Sequence, residues 1–393
     1  MSIEKAISNI RGDKAIWVVV FFLALFSILA VYSATGSMAY LSYGKKAEVY
    51  LIKQIMFMGI GFTLMYVAYR LDYMQYAKLA PYMLALSIPL LIYTLAFGTE
   101  INEARRWITI PWIDQTLQTS DFARLALILF LSKSIAQKQD VIKDFKSAFV
   151  PLILPVIIVT ALIAPADLST AGLLFMTSLL LLFIGRVDLK YIALLIFLGI
   201  LAMAVLILIG KIFPEAVRLD TWISRVNDFL YNTDGGHQIQ QSKIAIAHGG
   251  IFGVGPGNSL QRNYLPYPYA DFIYAIIVEE YGLIGGILIL MMYLYLLFRS
   301  ISIVTKSPKT FGAMLAMGLT LNIVVQAFAN IAVSVHLLPV TGLTLPMISV
   351  GGSSIVITSV SLGIILSVSR YVEQAQREKI ALQEIEELNE HNN

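Results

Sequence analysis

Ten long apolar stretches constrain what this chain can fold into more than any other feature. They fall at roughly 16–34, 53–69, 79–97, 122–136, 148–164, 168–185, 189–210, 272–298, 311–334 and 347–369. A helix needs about 20 apolar residues to cross the hydrocarbon core of a bilayer, whereas a transmembrane barrel would show short alternating segments. Only 13% of the 393 residues are charged, against about a quarter in soluble chains, so too little polar surface exists to coat a water-facing sphere. The expected fold is an all-α polytopic membrane protein with ten transmembrane helices. The short link from Pro165 to Leu168 makes the fifth and sixth a tight hairpin.

Orientation follows from the cations, because short loops rich in Lys and Arg stay cytoplasmic. With the N-terminus inside, Arg11, Arg70, Lys78, Lys133, Arg186, Arg299 and Arg370 are all cytoplasmic, while the short outer loops hold only Lys45, Lys46, Lys53, Arg105 and Arg106. Ten crossings then leave both termini cytoplasmic. Residues 1–370 form the membrane body and 371–393, with six Glu, a solvated extension of the last helix. One large loop, about 211–270 between helices seven and eight, faces outward; its length and its Trp222, Phe229 and Tyr231 predict a folded, functional segment. The first apolar stretch has no small-x-small cleavage pattern and reads as a retained anchor. The absence of cysteine excludes disulfides, thiolate metal sites and Cys nucleophiles, and a net charge of +3 gives no ground for a nucleic-acid partner.

Several standard chemistries fail on spacing. The glycines from Gly249 to Gly257 lack the GK[ST] of a phosphate-binding loop, and the four histidines lack HExxH spacing. Those glycines do predict a turn whose N–H groups could receive an anionic or sugar ligand, or serve as loop punctuation. Asp271 opens the eighth span at its outer end, where a carboxylate either complements the helix dipole or acts in a site. Glu279 and Glu280 follow on the same helix, with Glu279 about 12 Å deeper. An acid at that depth requires a wet cavity or a cation, so an outward-opening cavity lined by Asp271, Glu279 and the Arg105–Arg106 loop is expected, with Glu280 paired to a neighbouring helix. The separation is too large for a two-carboxylate glycosidase; a single base suffices if the leaving group is a pyrophosphate stabilised by cations. Arg105 and Arg106 are forked donors suited to phosphate, and Trp107 beside them suits the membrane interface. Asp167 reads as a helix cap. The Pro/Gly-broken stretch from Leu338 to Ser354 either lines a cavity, through Ser353 and Ser354, or packs closely through small residues.

The strings GVGPGNSLQRNYLP and ADFIYAIIVEEYGLIGG, with NIAVSVHLLPVTGLTLPMISVGGSS, ARRWI, QTSDFARLALILFLS, ADLSTAGLLF and VYSATG, together resemble the SEDS family of cell-wall polymerases over nearly the whole chain. The GNSLQ and GLTLP runs resemble the FtsW (division) branch more than the RodA (elongation) branch. The resemblance implies a ten-helix glycosyltransferase that polymerises lipid II on the outer face of the bacterial inner membrane, at the septum. Implied partners are a class B penicillin-binding transpeptidase and other division proteins, besides lipid II and membrane lipid. The family's essential aspartate falls on Asp271, its Arg-Trp pair on Arg106 and Trp107, its Glu pair on Glu279 and Glu280, and its basic residue of the fourth span on Arg124. Arg105, Asn258, Ser259, Gln261, Ser353 and Ser354 complete the expected substrate contacts, and a divalent cation, Mg or Mn, is the one cofactor entertained. Tyr267, Tyr269, Ala270 and Thr341 depart from the usual Glu, His, Thr and Lys at those places. The rival functions are a flippase or transporter for lipid-linked precursor, which would use the same charges for passage, and the elongation polymerase.

Overall fold

The computed structural model describes residues 11–36, 47–101, 104–110, 115–212, 219–231 and 236–391. Each of the ten apolar windows falls on a helix: α1 (Lys14–Thr35), α2 (Ala47–Arg70), α3 (Tyr73–Phe97), α4 (Thr119–Gln137), α5 (Val150–Ile163), α6 (Leu168–Ile184), α7 (Leu189–Ile212), α10 (Ile273–Lys306), α11 (Thr310–Ser334) and α12 (Gly352–His391). Between α7 and α10 lie α8 (Leu219–Tyr231) and α9 (His237–Gly249). Among the described residues eight helices are long and apolar enough to cross a membrane, so the chain is a polytopic helical membrane protein. Of the other two, α6 has 17 residues and α4 carries Asp121, Arg124 and Lys133.

Local sequence sets where helices begin. The carboxylates of Asp13, Asp72 and Asp167 accept from the N–H groups of Ala15, Met74 and Thr170 at 2.9, 3.0 and 3.1 Å, capping α1, α3 and α6. α12 lies against α2 closely enough that a Cβ on Gly363 would stand 2.3 Å from the Met65 carbonyl oxygen, the small-residue contact by which membrane helices approach. One continuous apolar core joins the helices, and a smaller cluster of Ala34, Ile239, Leu265, Phe272, Ile276 and Val333 holds α9 and the following loop onto the start of α10.

Three features depart from the expectation. The fold is not wholly helical: β1 (Thr99–Ile101), β2 (Ala104–Ile110) and β3 (Gln115–Gln118) form an antiparallel sheet in the order β1-β2-β3. The stretch 347–351, placed in the last span by its hydropathy, belongs to a non-helical segment between α11 and α12. That segment is buried in protein from Leu345 to Ser349, and its backbone is satisfied by Ser27, which donates to the Ile348 carbonyl at 2.7 Å, and Tyr293, which donates to that of Pro346 at 2.5 Å. Irregular backbone at this depth is tolerated only under such cover.

The third departure is a break in α10. Gly282 adopts φ 70° and ψ −174°, outside the helical region, and a Cβ there would meet the Ile251 carbonyl at 2.1 Å. The loop after α9 fills the gap. Val254 and Gly255 donate to the carbonyls of Glu279 and Glu280 at 3.0 Å each, while Leu283 and Ile284 donate to those of Gly250 and Ile251 at 2.9 and 3.4 Å. Residues 273–280 are wholly buried, and the exposed apolar stripe of the helix starts only at Leu283 and Ile284. From Gly282 to Lys306 the helix is about 37 Å long, enough by itself to cross the hydrocarbon core. The two glutamates therefore sit above that crossing, in protein.

Candidate active site

A cavity of about 310 Å³ opens where β2, α4, α8, the α5–α6 link and the α11–α12 segment meet. Its lining includes Arg106, Trp107, Asp121, Arg124, Asp167, Arg225, Asp271, Gln326, Ser353 and Ser354. Polar groups dominate a space enclosed by apolar helices, the arrangement that marks a ligand site in a membrane protein.

Strand alternation separates the two arginines of β2, because successive side chains take opposite faces. Arg106 enters the cavity wall: its Nε donates to the Ala166 carbonyl at 2.8 Å and its Nη1 stands 3.0 Å from Asp167 Oδ2. Asp167 thus both caps α6 and holds Arg106. Arg105 takes the other face, half-exposed and 3.6 Å from Glu100, and does not line the cavity.

One turn into α4, Asp121 and Arg124 are buried and joined at 2.6 Å, and Arg124 Nη1 donates to Gln326 Oε1 at 2.6 Å. Asp121 Oδ2 and Arg124 Nε have no hydrogen-bond partner among the described residues. Buried polar groups are seldom left so, which leaves capacity beside the cavity for a polar occupant.

Asp271 stands two residues before α10, partly buried at the cavity wall. Its backbone is fixed rather than loose: Asn330 Nδ2 donates to the Asp271 carbonyl at 2.8 Å and to that of Leu343 at 2.6 Å, and Ser349 Oγ donates to the Ala270 carbonyl at 2.6 Å. Burial pushes the Asp271 carboxyl up to about 6, with Arg225 and Arg106 opposing the rise and Asp167 adding to it. A carboxyl so poised has the basicity that general-base chemistry at neutral pH requires. Arg225 comes from α8, where its Nη1 donates to the Thr341 carbonyl at 3.2 Å. The Gln118 N–H donates to Ser353 Oγ at 3.1 Å, tying the sheet to the start of α12.

The structure thus brings Asp271, Arg106, Trp107, Arg124, Ser353 and Ser354 to one cavity, and adds Arg225, Asp121 and Gln326, which the sequence did not single out. Arg225 lies in a long loop with no motif around it; Asp121 was within the QTSDFAR string and could have been taken with Arg124.

Five expected contacts are corrected along with Arg105. Glu279 is fully buried away from the cavity, accepting from Ser259 Oγ, from Leu260 N at 3.1 Å and from Gln261 N at 3.4 Å, and bonded to His248 Nδ1 at 2.9 Å. Glu280 accepts from Ser33 Oγ and from Ser259 N at 3.4 Å. Both acids are clamps for residues 257–262, and neither requires a wet cavity because the inserted loop supplies the donors. Ser259 and the Gln261 N–H are spent on this clamp, and Asn258 Nδ2 donates to the Val254 carbonyl at 3.1 Å; none of the three lines the cavity. The N–H groups of Gly253, Val254 and Gly255 are likewise taken, by the carbonyls of Gly249, Glu279 and Glu280, so the glycine turn is no anion cradle. Lys45 and Lys46 lie outside the described residues.

A family model described as cell cycle protein, covering FtsW, RodA and SpoVE, matches residues 13–374. The chain is 33% identical over 363 residues to Stage V sporulation protein E of Bacillus subtilis, with 91% of this chain and 97% of that one covered. It is 34% identical over 371 residues to the Probable peptidoglycan glycosyltransferase FtsW of Coxiella burnetii, covering 92% and 98%. Among solved structures it superposes with a TM-score of 0.71 and 24% identity on a chain from a study of polymerization and crosslinking by a peptidoglycan synthase complex, covering 92% and 98%. The Thermus thermophilus rod shape determining protein RodA gives a TM-score of 0.67 at 22% identity, covering 92% and 98%, a likeness of fold.

Proposed function

Because the chain belongs to the cell cycle protein family of FtsW, RodA and SpoVE, we propose that it is a peptidoglycan glycosyltransferase that polymerises lipid II into glycan strands during division. The carrying observation is Asp271, raised by burial to a pKa of about 6, in one cavity with Arg106 and Arg225. The hydroxyl oxygen of an acceptor sugar attacks the anomeric carbon of the donor, and the bond from that carbon to the lipid pyrophosphate breaks. The hydroxyl proton passes to Asp271, and Arg106 and Arg225 stabilise the charge on the departing pyrophosphate. Arg124 and Gln326, held together deeper in the cavity, orient polar groups of the sugar.

The residues present do not fit a resident Mg or Mn ion. Among the described residues no group of three or more His, Asp or Glu side chains converges, and Asp121 and Asp167 are each taken by an arginine.

In this reading all ten helices cross the membrane, both termini are cytoplasmic, and the cavity faces outward, where the cations are fewest. Residues 1–370 form the catalytic body and 371–393 the cytoplasmic extension. Identity of about a third to proteins named FtsW, against 22% to the RodA of known structure, favours a septal role over elongation. A class B penicillin-binding transpeptidase is the expected partner, supported by the likeness to a chain from a synthase that couples polymerization with crosslinking. The test is whether the purified protein lengthens glycan chains from lipid II in detergent. Asp271→Asn should lower the rate at least about a hundredfold without shifting the melting temperature. Polymer at the wild-type rate from that variant would overturn the assignment, and no polymer from the wild-type protein alone or with its transpeptidase would favour a flippase.

A further inference from the structure

A second polar cavity, of about 440 Å³, lies at the opposite end of the helices, where the segment before α1 meets the end of α2 and the middle of α12. It is lined by Arg11, Tyr69, Arg70, Arg370 and Gln374. Three guanidiniums share one small space with no carboxylate in its wall. The nearby acids are committed elsewhere: Asp13 to Arg299 at 2.7 Å, Glu373 to Arg377 and the Gly12 N–H, and Asp72 to the cap of α3. Among the described residues Arg11, Arg70 and Arg370 make no ion pair with a carboxylate.

The arginines are held in place by neutral groups. Buried Tyr69 accepts from the Arg11 N–H at 3.0 Å and donates to the Arg11 carbonyl at 2.8 Å, fixing that backbone. The Arg370 guanidinium lies over the Tyr69 ring at 5.2 Å and donates to the Arg70 carbonyl at 3.1 Å. Trp17 meets the same ring edge-on at 5.5 Å. Stacking and the backbone bond fix the direction of the Arg370 fork while leaving much of it free for phosphate, and the exposed forks of Arg11 and Arg70 stand beside it on fixed backbone. One turn along α2, Tyr66 and Val67 are 50% and 47% exposed, and Val18 of α1 is 52% exposed. An apolar, lipid-facing surface therefore runs up to the rim of a cationic cavity.

We propose that Arg11, Arg70 and Arg370 bind the phosphate of an anionic membrane lipid, its acyl chains lying along the exposed faces of α1 and α2. Basic cavities between helix ends bind such headgroups, and in the topology proposed above this is the inner leaflet. Binding itself does not depend on the glycosyltransferase reading.

The test uses the full chain in detergent, with melting temperature and native mass spectrometry as readouts. Dioleoyl phosphatidylglycerol should raise the melting temperature and persist as a discrete adduct, whereas dioleoyl phosphatidylcholine should do neither. The double variant Arg11→Gln, Arg70→Gln should bind phosphatidylglycerol about tenfold more weakly or worse, and Lys78→Gln, an exposed cation outside the cavity, should bind like wild type. If the double variant fails to fold, the single Arg70→Gln, at the exposed last turn of α2, makes the same comparison. Equal loss in Lys78→Gln, an unchanged adduct in the cavity variant, or the full shift from inorganic phosphate alone would each overturn the lipid site.

Discussion

Asp167→Asn separates the roles that one carboxylate plays in the outer cavity. Asparagine caps a helix about as well as aspartate, so the bond to Thr170 N, 3.1 Å in the native protein, survives. The negative charge does not. Asp167 raises the Asp271 carboxyl by repulsion and offsets Arg106, which lowers it. Both effects are lost together, and both losses favour ionised Asp271. The full rise from 3.8 to about 6 corresponds to about 3 kcal/mol, most of it from burial, which the substitution leaves intact. The fraction removed is therefore small, about 0.5 to 1 pH unit. Polymerisation by the native protein should fall as pH drops through about 6, where Asp271 takes up a proton and ceases to be a base; in Asp167→Asn that acid limb should move lower. The assay is kcat/KM for lipid II polymerisation between pH 4.5 and 8, with melting temperature as the fold control. Asp167→Ala should move the limb similarly and also cost about 1 kcal/mol of stability through the lost cap. An unmoved limb, or one moving to higher pH, would refute the coupling of Asp167 to Asp271.

Two further outcomes distinguish cavity from surface and catalysis from scaffolding. Arg106→Ala should depress polymerisation strongly, while Arg105→Ala should leave it within about twofold, because its exposed pair with Glu100 is worth at most about 1 kcal/mol; equal losses at matched expression would count against a specific phosphate role. Glu279→Ala should lower stability by about 3 kcal/mol, since Ser259, Leu260 and Gln261 lose their acceptor, and should open residues 253–262 to limited proteolysis before the helices melt. A variant as resistant as wild type would show that the clamp is idle.

The helices were legible because lipid demands long apolar runs, and every such run holds a helix, the tenth only from Gly352 onward. Asp271 and Arg106 were legible because charges next to apolar runs are costly and conspicuous, whereas Arg124 was reached only through the family resemblance. Glu279 and Glu280 were conspicuous for the same reason; Glu280 does pair with a neighbouring helix, through Ser33 of α1, but Glu279 was misplaced in the cavity. Apart from Glu279 and Glu280 the stretch from Ile273 to Phe298 carries no charge, so nothing in its hydropathy marks Gly282 as the point where loop backbone enters the helix. Arg225 was missed for the opposite reason: it reaches Asp271 from a helix 46 residues away in sequence, and no local pattern encodes that approach. Arg105 was wrongly paired with Arg106 because the span-to-span loop between them and α4 was read without a sheet, and only the alternation of a strand tells the two apart.

The break at Gly282 divides α10 into two rods. The inserted loop ties both: Val254 and Gly255 bond the upper rod, Ile273 to Tyr281, at Glu279 and Glu280, Leu283 and Ile284 of the lower rod bond Gly250 and Ile251, and the glutamates of the upper rod hold residues 257–262. Asp271 rides at the tip of that upper rod. The loop is therefore a splint across the joint, and the place of Asp271, itself pinned by Asn330, depends on residues 250–262 that do not line the cavity.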